Sequence, residues 1–304
     1  MSTTEATAGD PPVRVLAVDG GGIRGIIPAL VLAELERRTG LPGCRLFDVM
    51  AGTSTGGIIA LGLSMPDERG EPVSRAAQLI EMYERAGSDI FVRERLGAVE
   101  ALVHQRYPSD DIDATLARYF GETRLSGAAT EVLVTAYDLL AREVVLLTSE
   151  AARADPSLDL PMRVAARATS AAPTYFEPVG VTMGTPPRHR LLVDGGIAAN
   201  NPAMAAYVEV RRRHPSAGMV VVSLGTGTSS TAIPADEVRD WGMAHWGRVI
   251  LHLLIDGTGE MVHQQLGEVL PDGDYVRLQT DLTGANEALD DATEENIERL
   301  KDLA

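Results

Sequence analysis

The sequence predicts an α/β domain in which helices cover both faces of a mostly parallel sheet. Three observations carry that expectation. Short runs rich in Val, Leu and Ala stop at glycine turns and pass straight into helical segments, twice within the first 65 residues. Strand, turn and helix in succession require crossover connections, and these join parallel strands. The 304 residues suffice to bury a full core, and with 45% hydrophobic residues but only 4% aromatics that core must be aliphatic.

Each element follows from its own pattern. "VRVLAVDGGG" reads as a buried strand ending in a tight turn, and "IIPALVLAELERRTG" as a helix closed by Gly40. "FDVMAG" and "GGIIALGLS" repeat the strand–helix step. Residues 65–75 form a polar loop, "AAQLIEMYERAG" is helical, and residues 88–110 fit a lid, a helix or a connecting loop. "DIDATLARYFG" reads as a helix with an acidic start. "EVLVTAYDLL" and "EVVLLTSE" read as a hairpin through Leu140, Ala141 and Arg142. "PMRVAARATSAAP" is a helix with proline at its start and another just past its end. "RLLVDGG" is a strand running into a glycine turn. "PAMAAYVEVRRRH" is a helix with Pro202 near its first turn and cations at its C-terminal end, where the dipole favours them. "GMVVVSLGTGT" is a buried strand, residues 236–268 are helical, "YVRLQT" is a late strand and "ATEENIERLKDLA" a final amphipathic helix. No repeat, low-complexity segment or linker interrupts this series, so residues 13–304 read as one domain behind a frayed tail over residues 1–12.

Charge and composition narrow the function. Lys plus Arg is 27 and Asp plus Glu is 43, a net charge of −16. Such a surface repels nucleic acid and anionic headgroups at long range, so any membrane contact needs a local apolar or basic patch. Cys44 is the single cysteine, which forbids an intrachain disulfide and fits a reducing compartment. "MSTTEATAGDPP" has neither the basic start nor the apolar run of a secretory signal. No stretch approaches 18 uninterrupted apolar residues. The expected location is cytoplasmic, peripheral to a membrane at most. No Cys/His cluster or calcium loop is present in the sequence, so no metal or cofactor is expected.

Three glycine turns stand where chemistry could be done. "GTSTG" holds Ser54 between Gly52 and Gly56, after a strand and before a helix. In that setting Gly-x-Ser-x-Gly lifts the hydroxyl out of a sharp turn, and the helix N-terminus favours negative charge developing on a substrate oxygen. The pattern alone leaves an N-capping serine equally open. "DGGGIRG" contains Gly-x-Gly-x-x-Gly, which invites a dinucleotide reading, but the acid expected about 20 residues on is missing from a second strand end. Consecutive glycines also present adjacent N–H groups as an oxyanion hole, with Arg24 as a neighbouring cation or as a solvated helix-start residue. "VDGG" places Asp194 at a strand end, at the same sheet edge as the other turns, where it could take the Ser54 proton or make an Asx turn. None of the six histidines is singled out by position; His245, His252 and His263 fall in a helical stretch, and His189 could approach the site. That fits a Ser-Asp dyad better than a triad.

Together "DGGGIRG", "GTSTGG" and "DGG", in this order, resemble the glycine-rich loop, nucleophile elbow and aspartate motif of the patatin-like phospholipase family. "ATSAAPTYFEPV", "SLGTGT" and the tail "ALDDATEENIERL" agree, so the resemblance spans nearly the whole chain. It implies a three-layer α/β/α sandwich and ester hydrolysis by a Ser-Asp dyad. Ser54 would be the nucleophile and Asp194 the base, with Gly20, Gly21, Gly22, Arg24 and Thr55 forming the oxyanion region and Gly52 and Gly56 the elbow. Substrate choice would lie in residues 65–130. The implied activity is lipid acyl hydrolysis on a phospholipid or galactolipid, through an acyl-serine and with transient membrane contact. Three alternatives stand beside it: an acyltransferase or esterase on a soluble acyl ester, a phospholipase effector gated by a cyclic nucleotide, and a dinucleotide-binding module.

Overall fold

The computed structural model describes residues 11–90, 107–229, 233, 235–239 and 241–304. Strand β1 (Val13–Val18) runs into the glycine loop and a 3-10 turn (Gly22–Gly25), then α1 (Ile26–Thr39), which Gly40 ends in the left-handed conformation at φ 74°. A short α2 (Gly43–Leu46) precedes β2 (Val49–Gly52) and α3 (Thr55–Leu63). Next come α4 (Ala76–Ile90) and α5 (Ser109–Phe120), and most of the stretch left unassigned from sequence, residues 91–106, lies outside the described residues. The expected hairpin is β3 (Glu131–Asp138) with β4 (Glu143–Thr148), paired from Asp138 opposite Glu143. After it lie α6 (Ser149–Ala154), α7 (Met162–Thr169), β5 (Val179–Met183), β6 (Arg188–Asp194), α8 (Gly196–Ala199), α9 (Ala203–Arg213) and β7 (Met219–Leu224). The chain closes with α10 (Ala235–Val238), α11 (Met243–Val269), β8 (Tyr275–Leu278) and α12 (Glu294–Asp302).

One eight-stranded sheet runs β5-β6-β3-β2-β1-β7-β8, with β4 against β3. The pairs β1–β2, β1–β7, β2–β3 and β7–β8 are parallel, as strand–helix alternation dictates. Alternation along β1 divides the core into two layers. Leu16 and Val18 pack with Ile26, Leu32, Ile59 and Leu61 on one face. Val15 and Ala17 pack with Ala206 and Val210 of α9 and Leu266 of α11 on the other. The result is a three-layer α/β/α sandwich.

Two expectations are revised. Val179–Met183 forms a strand that its Gly-interrupted sequence did not announce, held by antiparallel pairing to β6. And β6 reaches the site from the opposite direction to β1 and β2, because it is antiparallel to β3. A strand has only two edges. With β4 occupying one edge of β3 from Leu133 to Asp138, β2 (ending with Gly52 opposite Val134) and β6 (ending with Asp194 opposite Ala136) must share the other. They meet there end to end. Two distant strands are thereby brought nose to nose, and the turn that leaves each begins within a residue or two of Thr135.

Candidate active site

Ser54 sits in the gap between those strand ends. Its backbone is at φ 54°, ψ −123°, a left-handed region that a residue with a Cβ enters only at a cost of order 1–3 kcal/mol. Neighbouring contacts hold it there. Its N–H donates to Thr169 Oγ1 at 2.8 Å, and Thr53 Oγ1 donates to the Ala199 carbonyl at 2.6 Å while accepting from Thr135 Oγ1 at 2.7 Å. The flanking glycines follow from close approach: a Cβ on Gly52 would lie 2.1 Å from the Gly56 carbonyl oxygen, and one on Gly56 2.1 Å from that of Val18. Any larger residue would push α3 off the sheet.

Asp194 is 5% exposed and holds two partners. Its carboxylate accepts the Gly196 N–H at 2.7 Å and the Ser54 hydroxyl. Burial dominates and pushes its pKa up to about 6, while the Ser54 and Gly196 hydrogen bonds pull it down. The Asx turn that the sequence allowed and the contact with Ser54 therefore coexist on one side chain.

The glycine loop is held from behind. Thr226 Oγ1 donates to the Gly20 carbonyl at 2.7 Å, and Arg24 Nε to the Gly21 carbonyl at 3.3 Å. In a planar trans peptide the N–H points opposite to the C=O. Fixing those two carbonyls rearward therefore turns the Gly21 and Gly22 N–H groups forward, and both residues border the cavity that holds Ser54. Gly22 is at φ 58°, and a Cβ there would meet the Leu289 carbonyl at 2.1 Å. Thr55 adds the first N–H of α3, one that no helix pairs internally.

Two expectations about this loop are corrected. The Gly20 N–H is already used, donating to the Asn200 carbonyl at 3.1 Å, so Gly20 is not a free donor. Arg24, 4% exposed, does not line the cavity that holds Ser54. Its guanidinium lies behind the loop, in a polar cleft with Asp19, Thr226, Asp256 and Arg277. Desolvation lowers its pKa, eased by Asp256 and Glu287. At the start of the loop, buried Asp19 is gripped by Arg277 at 2.6 Å. Sequence reading missed Thr169, Asn200, Thr226 and Arg277. Thr226 and Thr169 had a signal, as parts of "SLGTGT" and "ATSAAPTYFEPV".

The histidines whose side chains are described do not converge on this place. His189 is exposed near the far end of β6, five residues and roughly 17 Å along the strand from Asp194. It pairs with Thr182 of β5, so the possibility that it approaches the site is withdrawn. His263 bonds the Tyr275 hydroxyl at 3.2 Å, and His252 lies half-buried near Arg24 and Asp256. His104 lies outside the described residues. Among the described residues, the side-chain hydrogen-bond partner of Asp194 is Ser54 and not a histidine.

In front of Ser54 the cavity is apolar, walled by Ile58, Met82, Ile112, Leu116, Phe176 and Leu289. At its polar end stand a serine, a carboxylate and forward-facing amides.

The patatin-like phospholipase family profile matches residues 16–207, which include Ser54, Asp194 and the glycine loop. The chain is 32% identical to Patatin-like protein 1 of Oryza sativa subsp. indica, over 97% of this chain and 81% of that one. It is 31% identical to Patatin-07 of Solanum tuberosum, over 99% and 85%, and 32% identical to Patatin-like protein 2 of Arabidopsis thaliana, over 95% and 81%. This chain belongs to the patatin-like phospholipase family. Membership assigns lipid acyl hydrolysis as its general class of activity. In this patatin-like chain the end-to-end meeting of β2 and β6 on one edge of β3 is what places Ser54 next to Asp194.

Proposed function

We propose that this protein hydrolyses acyl esters of membrane lipids, of the phospholipid or galactolipid class, with Ser54 as nucleophile and Asp194 as its only base. The observation that carries the reading is the hydrogen bond from a left-handed Ser54 to a buried carboxylate whose pKa is about 6. A base of that pKa is ionised at neutral pH and about two units closer to a serine's proton affinity than an ordinary aspartate.

The acyl chain enters the apolar cavity and the ester carbonyl lies over Ser54. Asp194 takes the hydroxyl proton as Oγ attacks. The oxyanion is received by the N–H groups of Gly21, Gly22 and Thr55, each such donor being worth about 3 kcal/mol in the transition state. Asp194 returns its proton to the departing alcohol and leaves an acyl-serine. Water, deprotonated by Asp194, then releases the fatty acid. The apolar walls support a long acyl chain over a short soluble ester. No helix of the described residues is long and apolar enough to cross a membrane.

The test is an assay of wild type, Ser54→Ala and Asp194→Asn on p-nitrophenyl acyl esters and on phospholipid vesicles, with folding followed by circular dichroism. Fatty-acid release by wild type and loss in both folded variants supports the dyad. Near-normal turnover by Asp194→Asn would sink the assignment of the base. Inactivity of wild type on both substrates would sink the lipid acyl hydrolase reading.

A further inference from the structure

Helix α11 is apolar on two opposite faces, and only one of them is covered. At 100° per residue, Ile255, Val262 and Leu266 fall on one side. Ile255 is 9% and Leu266 0% exposed, and Val262 packs with the α9 layer of the core. Trp246, Ile250, Leu253, Leu254 and Met261 fall on the opposite side, within an arc of about 100°. They are 41%, 44%, 39%, 44% and 61% exposed. A surface helix normally turns charge to water, as α12 does with Glu294, Glu295 and Glu298. A contiguous apolar stripe on a long helix marks a surface that something covers.

We propose that this outer face of α11 docks the protein on a phospholipid surface, an inference that rests on the acyl-lipid reading of the Ser54 site. Three features favour lipid. Residues 242–255, "GMAHWGRVILHLLI", contain Arg248, His245 and His252 but no Asp or Glu, in a chain whose net charge is −16. The one acid-free helical stretch of this length therefore coincides with the apolar stripe, so no carboxylate of this stretch opposes lipid phosphates. Both tryptophans of the chain, Trp241 and Trp246, stand at the start of this helix, in edge-to-face contact at 5.2 Å. Trp is the side chain best suited to a water–lipid boundary, with an apolar body and a polar tip. Finally, Ile255 on the inner side lines the Ser54 cavity, so the helix that carries the stripe is also a wall of that cavity.

Docking is measured on Ser54→Ala protein, which leaves the vesicles intact, by flotation with phosphatidylcholine vesicles and by tryptophan emission. The comparison is the same protein carrying Ile250→Glu and Leu254→Glu. Expected are a vesicle-bound fraction reduced about tenfold or more by the two carboxylates, and a blue shift of emission on vesicles that the variant lacks. In the Ser54 background the same pair of substitutions leaves hydrolysis of a short p-nitrophenyl ester within about twofold, which also shows that it folds. Equal vesicle binding by both proteins overturns the proposal. So does a dimer in sedimentation that the substitutions dissociate without any change in vesicle binding, since a second copy would then cover the stripe. Failure of the acyl-lipid reading shows separately, as absent turnover in the protein with Ser54 intact.

Discussion

The two sides of the glycine loop carry opposite chemistry. In front, Ser54, Asp194 and the Gly21 and Gly22 amides face an apolar cavity. Behind, Arg24, Arg277, Asp19, Asp256 and Glu260 line a polar cleft. The front holds the groups that would touch substrate, and the rear holds those that aim them. Forward-facing amides require rearward carbonyls, and carbonyls buried on that side need donors. Thr226 and Arg24 supply them. Arg24 thus reaches the Gly21 carbonyl from behind and does not line the cavity that holds Ser54.

Substitutions on the two sides should separate by kind. The largest effect is expected at the front, where Ser54→Ala removes the nucleophile and lowers kcat by at least ~10⁴-fold. The fold is kept, since the Ser54 N–H to Thr169 survives. Asp194→Asn should lower kcat by ~10³–10⁴-fold, as it keeps the acceptor for Gly196 but removes the base. It should also raise the melting temperature. Moving the Asp194 pKa from 3.8 to about 6 makes its ionised form roughly 3 kcal/mol less stable in the fold at pH 7. The sign follows from linkage. Between those two values the folded state binds the extra proton, so stability falls as pH rises from about 4 to 6, and the asparagine variant should lose that slope in thermal melts.

Behind the loop, Arg277→Gln strands the buried Asp19 carboxylate. A loss of about 3–5 kcal/mol in chemical denaturation is expected, with the catalytic constants of the surviving folded fraction little changed. Thr226→Val keeps the shape that packs against Gly21 but removes the donor to the Gly20 carbonyl. It should cost 10–100-fold in kcat with KM nearly unchanged, because the amides it aims matter most in the transition state. An equal rise in KM would mean that the loop also holds the ground state. The smallest effect is pH. Since Asp194 must be ionised to act, kcat/KM should fall about tenfold per unit below pH 6, and the midpoint should stay in Thr226→Val, which leaves the environment of Asp194 alone.

Much of the front was legible in sequence. Ser54, Asp194, Gly21, Gly22 and Thr55 lie in turns whose glycines serve steric needs, and such needs leave a mark in short patterns. Gly20 and Arg24 were legible as members of a motif but not in their roles, because a role depends on which way each peptide plane faces. The rear was hardly legible. Thr226 and Arg277 follow or lie on β7 and β8, more than 200 residues from the loop they serve. Nothing local to them distinguishes a threonine that holds a carbonyl from one that caps a turn. The outer face of α11 was visible as a helical stretch. That it stays uncovered depends on which side the core takes.

The sequence by itself determined the alternation of strands and helices, the glycine turns at the ends of β1, β2 and β6, and the family, because periodicity and close approach are written in local residue types. The tertiary structure alone decided the meeting of β2 and β6. Their junction depends on β4 taking one edge of β3 and leaving a single edge for both, a constraint of hydrogen-bond geometry between strands far apart in the chain. That constraint brings Ser54 to Asp194, and burial at the junction lifts the aspartate's pKa to about 6.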